Sequence, residues 1–309
     1  MASSTPLITL GINNCFAVKR WSRPEQWARI VSDELGLSDV QFSMDLLPPS
    51  ASDRTAATHA DTVHAVAEDH GIRVRSVFTG LAAYASNLLL ADAPSERDAA
   101  EQWYRRMIDV TARIGADGMG GHIGAFTVES FRDATRRDGL RSELTDRLRR
   151  LADHASDAGL DYLLFENLAL PREPGYSIPE SLELEAALAQ SAVPWRLCLD
   201  LGHPAALRTG TPSDDPTAWL NQSWSSTPII QLQQSPRGGD HHGAFTTANN
   251  STGLVRRDEV LPALMEWNAP EIELHLEIIP AHEADDDDVL ADLVESVRYW
   301  QEGIEQYAT

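Results

Sequence analysis

This sequence predicts an α/β chain folded as a (β/α)8 TIM barrel, and three observations predict it. Short apolar runs alternate with helix-like stretches eight times along 309 residues. The runs end near residues 13, 44, 78, 122, 166, 200, 233 and 277, in steps of 31 to 44 that suit one strand plus one helix. In the second half each run closes on a polar residue: Glu166 after YLLF, Asp200 after LCL, Gln233 after IIQL and Glu277 after ELHL. An open doubly wound sheet shares the alternation, but no GxGxxG or GxxxxGKS/T segment follows a strand.

LITLGIN (7–13) is the first strand. PEQWARIVSDELG (24–36) is a helix with proline at its start and glycine past its end. DVQFSMD (39–45) is the second strand, residues 51–71 are a helix closed by Gly71, and IRVRSVF (72–78) is the third strand. The following loop, TGLAAYASNLLLADAP, exceeds the usual span of about 2 to 6 residues, as a lid or binding loop does. A helix from Pro94 to about Ile114 precedes GADGMGGHIG, a glycine-rich fourth strand ending near His122. A helix from about Ser142 to Ala158 then leads through Gly159 into LDYLLFE. Helices near Pro179–Gln190, Asp215–Gln222 and Arg257–Trp267 lead into VPWRLCLD, TPIIQLQ and EIELHLE, and a last helix, Asp287 to about Glu305, closes the chain.

At 42% hydrophobic content and with no linker-like stretch, the expectation is a single TIM-barrel domain over residues 1–309. The net charge of −22 disfavours nucleic acid and anionic membranes as partners. DRLRR at 146–150 reads as the polar face of a helix rather than a basic patch. No apolar stretch approaches the ~20 residues of a membrane span. MASSTP lacks the charged and apolar regions of a signal peptide, so the expected location is cytoplasmic. Cys15 and Cys198 are expected to be free thiols.

Barrel chemistry sits at the C-terminal ends of the strands. Glu166, Asp200, Gln233 and Glu277 end strands five to eight, so their side chains can converge on one rim. One acid at a strand end is commonly a helix cap or loop salt bridge; four in register are much less so. Carboxylates that close repel unless a cation is shared, and an oxygen set with one amide favours Mg2+ or Mn2+ over Zn2+. Gln231 and Gln234 flank Gln233 and compete for its role. His275 is expected in the core and Glu273 exposed.

FEN at 165–167, LDLGH at 199–203, QLQQ at 231–234 with DHHGAFT at 240–246, and HLEIIPAHE at 275–283 resemble the xylose isomerase-like TIM-barrel superfamily of sugar isomerases and epimerases. The opening LGINNCFAVKRW with VQFSMDLL is similar to a narrower branch, the tetrulose-phosphate (erythrulose phosphate) 3-epimerases of erythritol catabolism. The resemblance implies a divalent metal, Mn2+ or Mg2+ with Co2+ or Zn2+ as alternatives. Its ligands would be Glu166, Asp200, the strand-seven residue and Glu277, with the two glutamates also acting as acid and base. It further implies that His203 contacts substrate. The strand-seven ligand is commonly histidine in such epimerases, whereas Gln233 stands here.

The implied substrate is a small sugar or sugar phosphate. A carbon acid beside a ketone needs its developing enediolate charge stabilised, which a chelated metal supplies. Glu166 and Glu277, on opposite sides of a four-strand arc, can serve opposite faces of a ketose and so invert a centre. Lys19, Arg20, Arg172, Arg237, His241 and His242 are loop cations able to clamp a phosphate. Asn13, Asn14 and His122 are candidates for substrate hydroxyls, and Trp21 and Phe245 for pocket walls. Alternatives with the same ligands are an aldose–ketose isomerase and a dehydratase. A phosphodiesterase of the apurinic endonuclease type shares the barrel but wants more histidines and a basic surface. A non-catalytic sugar-binding barrel would lack Glu166 or Glu277. A homo-oligomer is left open.

Overall fold

The computed structural model describes residues 6–48, 50–222, 229–267 and 269–307. The first residues of the N-terminal reading (1–5) and Thr227–Pro228 of the expected seventh strand lie outside them. Eight parallel strands follow one another in chain order and close into a barrel: β1 (Leu7–Asn13), β2 (Asp39–Ser43), β3 (Arg73–Phe78), β4 (Gly118–Gly121), β5 (Tyr162–Glu166), β6 (Trp195–Asp200), β7 (Ile229–Leu232) and β8 (Glu271–Leu276). The helices are α1 (Pro24–Arg29), α2 (Asp53–Asp69), α3 (Gly80–Tyr84), α4 (Pro94–Ile114), α5 (Val128–Arg132), α6 (Ala134–Ala158), α7 (Ile178–Leu188), α8 (Pro216–Leu220), α9 (Thr247–Asn250), α10 (Arg257–Met265) and α11 (Asp286–Tyr307). No helix among the described residues is long and apolar enough to cross a membrane.

Several boundaries move for local reasons. The helix expected over 24–36 is α-helical only to Arg29 and continues as a π-helical turn, Ile30–Glu34. The long loop after β3 contains α3, whose Leu81 and Ala82 amides are capped by the Asp45 carboxylate at 2.7 and 2.9 Å. The helix expected from Ser142 starts eight residues earlier, at Ala134, because Asp133 accepts from the Arg136 amide as its N-cap.

The chain forms two compact units. One comprises the described residues of Met1–Gln41, His70–Ile72 and Cys198–Thr309; the other comprises Phe42–Asp69 and Arg73–Leu197. In the first, β1 pairs β8 with Gly11 beside His275 and Ile12 beside Leu276. A Cβ at Gly11 would lie 2.8 Å from the His275 ring and 2.6 Å from the Asp39 carbonyl, so glycine is what lets this histidine fill the strand layer. His275 is fully buried, as expected, and burial lowers its pKa to about 4, so it carries no charge. Glu273, expected outside, is only 8% exposed and lies 3.5 Å from His275. Trp219 and Trp300 are fully buried in the same unit. Phe245 is buried against Tyr299 and Trp300. Cys15 and Cys198 are buried and form no disulfide.

The second unit places DRLRR on α6, along a polar face that meets α4. Arg147 is 6% exposed on α6 and donates to Asp98 and Glu101 of α4 and to Glu143 of its own helix at 2.7–2.8 Å. Arg150 donates to both Glu101 oxygens at 3.0 and 2.7 Å, and Arg97 forks onto Glu143 at 2.9 and 2.8 Å. A helix face that looks polar in sequence is thus a bonded seam, because each guanidinium there meets a carboxylate.

The Arg150 hydrogen bond, outweighing burial, pulls Glu101 down to about 2 from 4.5. The folded pKa lies below the unfolded one, so the contribution is complete above about pH 4.5 and is lost as pH falls toward about 2. After solvent screening, Glu101→Gln should cost about 1–2 kcal/mol at neutral pH. Urea curves should show that deficit shrinking between about pH 5 and about pH 3; a deficit independent of pH would rule the charge out as its source.

Candidate metal and sugar site

The registers of the first unit assemble the site. With Ile12 beside Leu276, the next step sets Asn13 beside Glu277, and the Asn13 Nδ2 donates to Glu277 Oε1 at 3.2 Å. Asn13 also pairs Gln41 across β1 and β2 and donates to its Oε1 at 2.8 Å; Gln231 donates to the same oxygen at 2.8 Å. A buried amide layer therefore underlies the carboxylates and fixes how Glu277 is presented.

Asp200 is fully buried at the end of β6. Its Oδ1 accepts from the Gly202 and His203 amides at 2.6 and 2.9 Å, capping the short turn that starts at His203. Burial, partly offset by His203 and His242, raises Asp200 to about 6. A Cβ at Gly202 would meet the Gln233 amide at 2.1 Å, so only glycine lets Gln233 lie across this loop.

Gln233 ends β7 with its carboxamide engaged at both ends. Its Oε1 accepts from the Ser235 hydroxyl at 2.6 Å and the His242 amide at 3.1 Å, and its Nε2 donates to Asp240 at 2.9 Å. Beyond it, paired backbone bonds between Gln234 and Gly243 close a loop that turns Asp240 and His242 back toward the strand ends. The His242 Nδ1 lies 3.4 Å from Glu277 Oε2 and its Nε2 3.4 Å from Asp240 Oδ1. The His203 Nε2 lies 3.7 Å from Asp240, and the two imidazoles meet edge to face at 5.4 Å. Burial works against charge on both histidines, but the carboxylates prevail: His203 is raised, and His242 reaches about 10.

Asp200, His203 and His242 form a group whose ligand atoms lie within 4.8 Å of one another. Glu277 is 2% exposed, and its Oε2 accepts no hydrogen bond among the described residues. Oxygen and imidazole donors, buried acids and an Asp200 that burial makes reluctant to ionise together fit a divalent cation.

Asn13, Asp200, His203, Gln233, His242 and Glu277 are thus gathered in one place. Lys19 and Arg237 are exposed, and His241 is anchored by its own amide on Ser235 while its side chain stays exposed. Arg20 is bonded to Asp286 and to the Ala281 and Ala284 carbonyls. In the second unit Glu166 ends β5 at 2% exposure. There His122 is buried against the Thr79 hydroxyl, and Arg172 donates to the Phe126 carbonyl. Sequence reasoning missed Asp240 and Gln41. Asp240 opens the DHHGAFT segment already singled out, and a carboxylate beside two histidines was its signal.

A family model described as xylose isomerase-like TIM barrel matches residues 29–303. The D-erythrulose 1-phosphate 3-epimerase of Brucella abortus (strain 2308) is 28% identical over 296 residues, covering 95% of each chain. A solved structure from Rhodospirillum rubrum ATCC 11170, provisionally assigned as a xylose isomerase, is 29% identical with a TM-score of 0.90, covering 96% of this chain and 99% of that one. D-psicose 3-epimerase from Clostridium cellulolyticum H10, solved with D-tagatose, shares the fold at 14% identity and a TM-score of 0.67, covering 96% and 99%.

Proposed function

The chain belongs to the xylose isomerase-like TIM barrel family, and from that premise we propose that it is a divalent-metal-dependent 3-epimerase of a small ketose phosphate, a tetrulose phosphate first. The observation that carries this reading is the buried Asp200 and Glu277 at the ends of β6 and β8, with the half-buried His242 of the loop after β7 lying 3.4 Å from Glu277. The similarity to the Brucella abortus epimerase supports the substrate class.

In this reading Glu166, Asp200 and Glu277 are ligands, with Gln233 at the remaining strand end. The ion, Mn2+ or Mg2+, supplies positive charge where the deprotonated carbon's charge spreads onto oxygen. Glu277, oriented by Asn13, takes or returns a proton on one face of the ketose, and Glu166 does so on the other. His203, Asn13 and His122 contact hydroxyls. Lys19, Arg172, Arg237 and His241 are the cations available to a phosphate against an acidic chain.

An aldose–ketose isomerase is the second reading, favoured by the Rhodospirillum rubrum relative. Four- to six-carbon ketoses and their phosphates, incubated in D2O with Mn2+, separate the two. Deuterium at C3 with inversion is the expected result. Deuterium at C1, or a new aldose, would replace epimerase by isomerase; no exchange with any of them would sink both.

A further inference from the structure

Resting on the metal-dependent reading above, we infer that His242, from the loop after β7, is a protein ligand to the divalent ion, and that Gln233 is its brace rather than a ligand. The Gln233 oxygen already accepts from the Ser235 hydroxyl and the His242 amide, which uses both its lone pairs. Turning that oxygen onto an ion would strand a buried hydroxyl or amide. The Gln233 NH2 meanwhile holds Asp240.

His242 has the opposite character. Its Nδ1 faces the buried Oε2 of Glu277 at 3.4 Å, at most a long contact for that pair. A charge-assisted bond would close to about 2.7–2.9 Å, whereas two donors sharing one ion at about 2.1 Å lie about 3.0–3.5 Å apart. On the far side of the ring, Nε2 faces Asp240. A metal-bound histidine commonly gives its other N–H to a carboxylate, which fixes the tautomer and the ring. The series runs Gln233 to Asp240 to His242, with Nδ1 left for the ion.

The position is built rather than incidental. The His242 amide is held by Gln233, its carbonyl accepts from the Ile279 amide at 2.9 Å, and its backbone sits at φ +45, which histidine adopts uncommonly. His203 is also within the cluster, but its Nδ1 is 3.9 Å from an Asp200 oxygen already occupied by two amides. One imidazole in an otherwise oxygen set shifts preference from Mg2+ toward Mn2+ or Co2+.

Pulsed EPR on the Mn2+-loaded chain reads 14N coupling from a directly bound imidazole. Coupling is expected in wild type and in His203→Asn, and it should vanish in His242→Asn, whose asparagine tolerates the left-handed backbone. The Mn2+ dissociation constant should rise about 100-fold or more in His242→Asn, and about 10-fold in Gln233→Leu with coupling retained. Tight Mn2+ binding without 14N coupling, or coupling that survives His242→Asn, overturns the assignment and leaves the metal-dependent reading standing. Failure of wild type to bind Mn2+ ends both.

Discussion

Glu277→Gln is expected to lower deuterium exchange at the reacting carbon by about 10²–10⁴-fold, the range of a lost general acid or base, while thermal unfolding moves by a few degrees at most. The amide has the shape of the carboxylate, and its oxygen can keep accepting from Asn13. What is lost is a negative charge and a site for the proton. Glu277→Asp separates these two: it keeps the charge, and hence much of the metal affinity, but withdraws the carboxylate by one methylene. Exchange should therefore stay low in Glu277→Asp even with Mn2+ bound. Full exchange in either variant would remove Glu277 from the acid–base pair.

Removing divalent metal should cost at least about 10³-fold in turnover, since Lewis-acid stabilisation supplies several kcal/mol of the barrier and each 1.4 kcal/mol is tenfold. The chain should remain folded. Its buried tryptophans and the α4–α6 ion-pair seam do not depend on the site. Dialysis against a chelator followed by near-UV circular dichroism and an exchange assay tests both halves. Adding back Mn2+ should restore exchange more fully than equimolar Mg2+. Turnover that persists in thoroughly chelated protein would remove the ion from the reaction.

The strands were legible because burial on both faces demands continuous apolar runs, and an acid closing such a run has no place in a core. Hence Asp200 and Glu277 stood out, and the structure finds both buried at strand ends. Asn13 was legible as a strand-end residue, but its grip on Glu277 follows from the β1–β8 register, which links positions 264 residues apart. The polar face carrying Arg147 was legible, but sequence displays its charge and not the three carboxylates around it.

Hydrophobic pattern and spacing by themselves determined the barrel and the strand-end acids, and the resemblance of a few short motifs pointed to the family. Only the tertiary structure decided that the Gln233 carboxamide is hydrogen-bonded at both ends, that Asp240 lies beside His203 and His242, and that the His242 ring faces Glu277. Those facts depend on how a loop is pinned and where its hydrogen bonds go. No periodicity encodes that, because each bond there joins residues brought together by the closure of the fold.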